Sequence, residues 1–136
     1  DHAIETFLAN DCDVVSNTCK PSYPQGIDAQ VFRFKDLAFV AETVWDAAVR
    51  EHVSLYFYEH PEQYRIIHLI APPTLKRPNL RLQMDYEEDY RLINEIYRRL
   101  EPEHGDGFRT ASILTLLDAN PDLKNINRHR TEKPVR

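Results

Sequence analysis

The chain has 136 residues with a hydrophobic share of 42%, a charged share of 29% and a formal net charge of -5, the profile of a soluble globular domain rather than a basic nucleic-acid binder. Only three glycines exclude collagen-like or glycine-rich disorder, and the nine prolines fall near turns. No apolar run approaches the ~18 residues of a membrane span and no leader pattern is visible, so the expected setting is the cytoplasm, with no membrane and no nucleic-acid partner. Cys12 and Cys19 are read as free thiols, because two cysteines make no secreted disulfide framework. The chain opens at Asp1 directly in what reads as helix interior, and the expectation is a piece of something longer.

Ile4, Phe7 and Leu8 share a helical face, and residues 13–17 form a short, partly buried strand. Tyr23-Pro24-Gln25-Gly26 is a turn signal, and residues 27–34 read as extended. Residues 35–49 predict one helix with an apolar stripe that includes Leu37, Val40, Val44 and Trp45, followed by a second short helix over 51–59. A strand core lies at Ile66-Ile67, and Lys76 and Arg77 form a sparse basic stretch before the next apolar segment. That segment, 80–84, reads as a buried strand ending at Asp85 and turning at once into a helix whose face is Tyr90, Ile93, Ile96, Tyr97 and Leu100. Residues 103–107 are a surface loop, 110–117 a helix, and Pro121 starts a last short helix holding Leu123 and Ile126. The basic run Arg128-His129-Arg130 is read as a solvated helix end, and the tail from His129 as frayed. Helices alternating with short apolar strands predict an α/β domain with a mixed sheet over 1–128 and a flexible tail over 129–136.

Asp85 is the leading site candidate. Open parallel sheets bind ligands beyond the carboxyl ends of their strands, and a carboxylate there can ligate Mg²⁺. The competing role is the cap of the following helix, with Glu88 at the capping-box offset, and the two roles are compatible. Asp28 and Gln30 alternate to one face of an extended segment and could make polar contacts in a cleft, or simply sit at a turn or strand edge. Ser16 and Asn17, at the end of the preceding strand, are weaker candidates. Arg50 and His52 could meet a phosphate or a carboxylate, with Glu51 orienting either; the bland alternative is a helix boundary with a local ion pair. Arg81 faces away from Leu80 and Leu82, toward a cleft, a partner or solvent.

Several of these pieces together resemble one family. They are Asp13-Val14-Val15-Ser16-Asn17, Tyr23-Pro24-Gln25-Gly26-Ile27-Asp28-Ala29-Gln30-Val31-Phe32, Arg50-Glu51-His52-Val53, Pro72-Pro73, the run 78–89 and Asn120-Pro121. In order and spacing they resemble the carboxyl-terminal part of the cytidylyltransferases of spore coat polysaccharide biosynthesis. The family pattern reads P-x-G-x-D-x-E-V-F at the second piece, where Gln30 replaces the usual glutamate, and L-R-L-T-V-D-T-P-E-D at the last motif, where Asp85, Glu88 and Asp89 are retained. The resemblance implies a partial Rossmann-like mixed sheet of the nucleotide-diphospho-sugar transferase type. It implies Asp85 as a Mg²⁺ ligand, Asp85 and Arg50 as catalytic residues, and Asp28 and Arg50 near the sugar side of the cleft.

The implied reaction moves a cytidylyl group from CTP to a sugar or sugar acid with release of pyrophosphate. The family's amino-terminal glycine-containing loop, which grips the triphosphate, has no counterpart here. The chain alone is therefore expected to be inactive, and a non-catalytic nucleotide-binding, sugar-binding or structural module is the alternative. A homodimer through the helix of residues 113–117 is a further reading, although such stripes usually serve a chain's own core.

Overall fold

The structure, a computed structural model, describes residues 1–131. It divides into two compact units. The first comprises residues 1–20 and 28–70, and the second comprises residues 21–27 and 71–131.

The first unit is built on a three-stranded mixed sheet. Strand β1 (Val14–Ser16) is central, antiparallel to β2 (Gln30–Phe32) and parallel to β3 (Ile66–His68). Period-two alternation gives the sheet two apolar faces. Val14, Phe32 and Ile66 pack with Val40, Val49 and Phe57 on one side. Val15, Val31 and Ile67 pack with Ala3, Cys12 and Phe7 on the other. Burying a side chain such as Phe57 contributes roughly 1.5–3 kcal/mol, and its ring also meets Phe32 and Tyr64 at 4.9 and 4.8 Å between centroids.

Helix α1 (His2–Ala9) turns Ala3 and Phe7 inward, so two of its three expected core residues lie outside: Ile4 is 53% and Leu8 78% exposed. The predicted helix over 35–49 is broken. Helix α2 (Phe34–Thr43) stops before Asp46, whose carboxylate accepts from the Val49 N–H at 3.1 Å and starts α3 (Ala47–Glu51). An aspartate satisfying an orphan helix N–H outcompetes helix continuation there. Trp45 falls in the break, exposed, with the Arg50 guanidinium 5.3 Å from its ring centroid, instead of in an apolar stripe. Helix α4 (Ser54–Glu59) supplies Phe57 to the core.

The second unit is helical around one apolar cluster. Helix α5 (Glu87–His104) buries Asp89, Leu92, Ile96 and Leu100. Tyr90 and Tyr97 are exposed, so the buried face is rotated from the expected one. Asp89 is drawn inside by a buried ion pair, and the residues three, seven and eleven positions later follow it. Helix α6 (Thr110–Ala119) contributes Leu114 and Leu117, and the 3-10 turn Pro121–Asn125 contributes Leu123, as the sequence led one to expect.

Residues 80–84 form no strand of a sheet. They make one parallel bridge, Gln25 to Arg81, in which the Gln25 N–H donates to Leu80 O and the Leu82 N–H donates to Gln25 O, both at 2.8 Å. Gly26 lies beside this bridge at φ +92°, and a Cβ there would sit 2.6 Å from the Gln83 nitrogen. The glycine is required both for its left-handed backbone and for the close approach. Cys12 is buried, Cys19 is exposed, and both are free thiols. Among the described residues no helix is long and apolar enough to cross a membrane.

Candidate functional site

At the carboxyl ends of β1 and β3 the apolar face of the sheet gives way to polar groups. The register pairs Ser16 with both Gln30 and His68, in line with Val14, Phe32 and Ile66, which belong to the core below. A polar row, Gln30–Ser16–His68, therefore crosses all three strands at one end. Ser16 Oγ lies 2.8 Å from the Tyr58 hydroxyl and 2.9 Å from Thr18 Oγ1, and Tyr58 Oη and Thr18 Oγ1 are 3.1 Å apart. Gln30 Nε2 donates to Thr18 Oγ1 at 3.3 Å. Hydroxyls donate and accept, so this network can turn its protons to suit a ligand.

Asn17 fixes the loop that carries this row. Its Oδ1 accepts from Ala29 N–H at 2.8 Å, and its own N–H donates to Ala29 O at 3.2 Å. Asp28, immediately before Ala29, is exposed. The buried Nδ1 of His68 has no hydrogen-bond partner among the described residues. Burial, and then the charge of Lys20, holds this imidazole below its ordinary pKa, so it is neutral at pH 7. Burial raises the Tyr58 phenol, against its bonds from Ser16 and Thr18. No member of the row carries a formal charge at neutral pH.

Of the sequence candidates in this unit, Asn17, Asp28 and Gln30 come together here. Arg50, Glu51 and His52 stand apart on and after α3. Arg50 Nη1 donates to Ala41 O at 2.7 Å, and His52 lies 3.9 Å from its neighbour Glu51. Ser16 is one of the weaker sequence candidates, and Thr18, Tyr58 and His68 are not among the candidates. Their signal was available in β3: an apolar strand core ends in a histidine on the same alternating face as Ile66.

The second unit holds a different arrangement. Arg81, only 3% exposed, donates to Asp89 through Nε at 2.9 Å and through Nη2 at 2.8 Å, and Nη2 also reaches Asp85 at 2.8 Å. Arg81 is thus buried in an ion pair rather than turned to solvent. Its Nη1 is buried with no hydrogen-bond partner among the described residues. Asp89 also accepts from Asn127 Nδ2 at 2.8 Å and from the N–H groups of Asp85 and Tyr86 at 3.0 and 3.1 Å.

The helix therefore begins at Tyr86 with Asp89 at its third position, one residue later than the expected pairing of Asp85 with Glu88. Burial works to raise the Asp89 pKa, but the bonds from Arg81, Asp85 N–H, Asn127 and Tyr86 N–H outweigh it and hold it well below the carboxylate range. Glu88 is instead paired with Arg130 at 2.7 Å, an interaction that lowers its pKa to about 2. Arg130 also lies 4.6 Å from the Tyr86 ring centroid, so the first residues of the predicted tail are anchored, while residues 132–136 lie outside the described residues.

Magnesium takes oxygen ligands in near-octahedral geometry, commonly one or two carboxylates completed by phosphates and water. Among the described residues no three His, Cys, Asp or Glu side chains converge. Asp85 Oδ2 already accepts from Arg81 at 2.8 Å and from Gln83 Nε2 at 2.7 Å. A guanidinium on the candidate oxygen repels a divalent cation. These residues do not by themselves fit a magnesium ion.

No family model matches the chain. It is 40% identical over 73 residues, 54% of its length, to the spore coat polysaccharide biosynthesis protein SpsF of Bacillus subtilis. The fold matches a cytidylyltransferase from Leptospira borgpetersenii with a TM-score of 0.81 at 18% identity, over 98% of this chain and 54% of that one. In sequence the chain is thus similar to a spore coat polysaccharide biosynthesis protein, and in fold to a cytidylyltransferase. Its fold is α/β and Rossmann-like, with a mixed sheet and flanking helices. The uncharacterized protein MJ1063 of Methanocaldococcus jannaschii is 32% identical over all 136 residues. The chain spans 54% of that relative and 30% of SpsF.

Proposed function

We propose that the chain is the acceptor-side part of a nucleotidyltransferase of surface-polysaccharide synthesis, with a nucleotide-diphospho-sugar transferase type of sheet. The observation that supports this reading most is the uncharged row Gln30–Ser16–His68 with Thr18 and Tyr58, at the strand ends where open α/β sheets bind ligands. Adjustable hydroxyls, an amide and a neutral imidazole suit the hydroxyls of a sugar better than they suit phosphate. Asn17 positions the loop through Ala29, and the exposed Asp28 next to Ala29 is the group that would meet the acceptor at its rim.

In the proposed reaction a hydroxyl or phosphate oxygen of a sugar or sugar acid attacks the α-phosphorus of CTP. A bond to the cytidylyl group forms as the bond to pyrophosphate breaks. The row orients the acceptor for in-line attack, and no covalent intermediate on the protein is needed. Arg50, with Glu51 and His52, belongs to the reading as a sugar-side group, able to meet a phosphate or carboxylate of the acceptor, that would have to leave Ala41 O to act. Asp85 would have to give up Arg81 before it could serve a metal. The remaining length of the relatives would hold the CTP, and this chain alone is inactive in this reading.

One observation favours a second reading, a module that binds a nucleotide or sugar without turnover: Asp85 is engaged and Gln30 replaces a carboxylate. The test is the whole gene product incubated with CTP, Mg²⁺ and a panel of sugars, sugar phosphates and sugar acids, reading pyrophosphate release and sugar nucleotide. Turnover with one acceptor supports transfer. Saturable binding of a sugar nucleotide without turnover selects the binding module, and neither binding nor turnover overturns both.

A further inference from the structure

The second unit carries a groove that neither reading uses. Its volume is about 490 Å³, and its lining includes Lys76, Arg77, Lys124 and Arg128, together with Asn79 and Asn125. Volumes of ~300–1,000 Å³ are typical of small-molecule sites. The cations come from two separated stretches, the loop before Arg81 and the turn after α6. Asp118 ties them together, accepting from Arg77 Nη2 and from Lys124 Nζ, each at 3.0 Å.

No carboxylate partner is recorded for Lys76 or Arg128 among the described residues; Arg128 donates only to Asn125 Oδ1, at 3.0 Å. Besides Arg81, which is already paired with Asp85 and Asp89, four cations line the groove, and Asp118 engages two of them, in a chain whose formal charge is -5. Such a local field attracts a small anion against the charge of the whole molecule.

We propose that this groove binds a phosphorylated carbohydrate. Lys76, Arg77, Lys124 and Arg128 take the phosphate, and the Asn79 and Asn125 amides, each a donor and an acceptor, meet the sugar hydroxyls. No aromatic side chain lines the groove, so it offers no platform for stacking a base, which sets a sugar phosphate apart from a nucleotide or a nucleic acid. Asp118 acts as an internal competitor: its carboxylate occupies two of the four cations until a phosphate enters. This inference does not depend on the proposed nucleotidyl transfer.

Calorimetric titration of the chain at low ionic strength tests it, with glucose 6-phosphate, glucose, inorganic sulfate and CMP as probes. Glucose 6-phosphate binds more tightly than sulfate or CMP, and glucose does not bind. The double variant Lys76→Glu/Arg128→Glu weakens glucose 6-phosphate at least about tenfold, and Asp118→Asn tightens it several-fold. Arg98→Glu, on the exposed side of α5, leaves it unchanged; circular dichroism confirms that each variant is folded. Equal weakening by Arg98→Glu, or sulfate binding as tightly as the sugar phosphate, would reduce the groove to general charge attraction and overturn the proposal. Unaltered affinity in the double variant would overturn it as well.

Discussion

The two units arrange their polar groups by opposite means. In the first, Ser16, Thr18, Tyr58, Gln30 and His68 are uncharged and joined by hydroxyl bonds that can be re-made around a ligand. In the second, Arg81, Asp85, Asp89 and Asn127 are joined by fixed, charge-assisted bonds. A locked ion pair holds structure, because breaking it leaves an uncompensated buried charge. An adjustable neutral network costs little to rearrange, and that suits recognition. The conspicuous charge at Asp89 closes the start of its own helix, and the quieter hydroxyls lie at the strand ends.

The sharpest way to break this comparison is Asp89→Ala. Leaving Arg81 without its main partner should cost about 3–5 kcal/mol, read as a lower midpoint in urea unfolding. The paired change Arg81→Met/Asp89→Leu should recover much of that loss, because it removes both charges together. A site that existed for binding alone would show a small stability change in the first variant.

Gly26→Ala comes next. A forced left-handed alanine and a Cβ 2.6 Å from Gln83 N should together cost roughly 2–3 kcal/mol, since the bridge that carries Arg81 would have to shift. Thermal unfolding reads it out.

Acid sharpens the contrast further. The folded Asp89 pKa lies below the unfolded value of about 3.9. Its contribution is therefore complete above that value and is lost as pH falls toward the folded pKa. His68 has the reverse chemistry: its folded pKa is below about 6.5, so the neutral form is favoured on folding and the associated cost appears as pH drops through 6.5. Stability measured from pH 8 to pH 2 should fall slightly near 6 and steeply below 4. In Asp89→Asn the steep acid limb should shrink.

The smallest stability effect belongs to Tyr58→Phe. It removes one hydroxyl bonded to Ser16 and Thr18 and should cost about 1 kcal/mol, yet it should disturb ligand binding more than any change at Asp85.

Much of the fold was legible because period-two and helical alternation respond to burial alone. β1, β3, α6 and the turn at Gly26 follow from apolar spacing and punctuation. Misreadings occurred where a polar side chain overrode that spacing. Asp46 broke one helix, and Asp89 rotated the buried face of another. The segment 80–84 looked like a strand because Leu80 and Leu82 alternate, but backbone pairing depends on a distant partner that local pattern does not reveal, and only Gln25 pairs with it.

The site was half legible for the same reason. Asn17, Asp28 and Gln30 could be found from their turn and from the family likeness. His68 and Tyr58 reach Ser16 only through strand register and a helix more than 40 residues along the chain, which no local spacing encodes.

The most direct test is an amide NMR titration of the chain with a CMP-sugar, in the wild type and in Tyr58→Phe. The account predicts that shifts centre on Ser16, Asn17, Thr18, Gln30 and His68, and that Tyr58→Phe diminishes them. Shifts centred on residues 81–89, or an unchanged response in the variant, would contradict it.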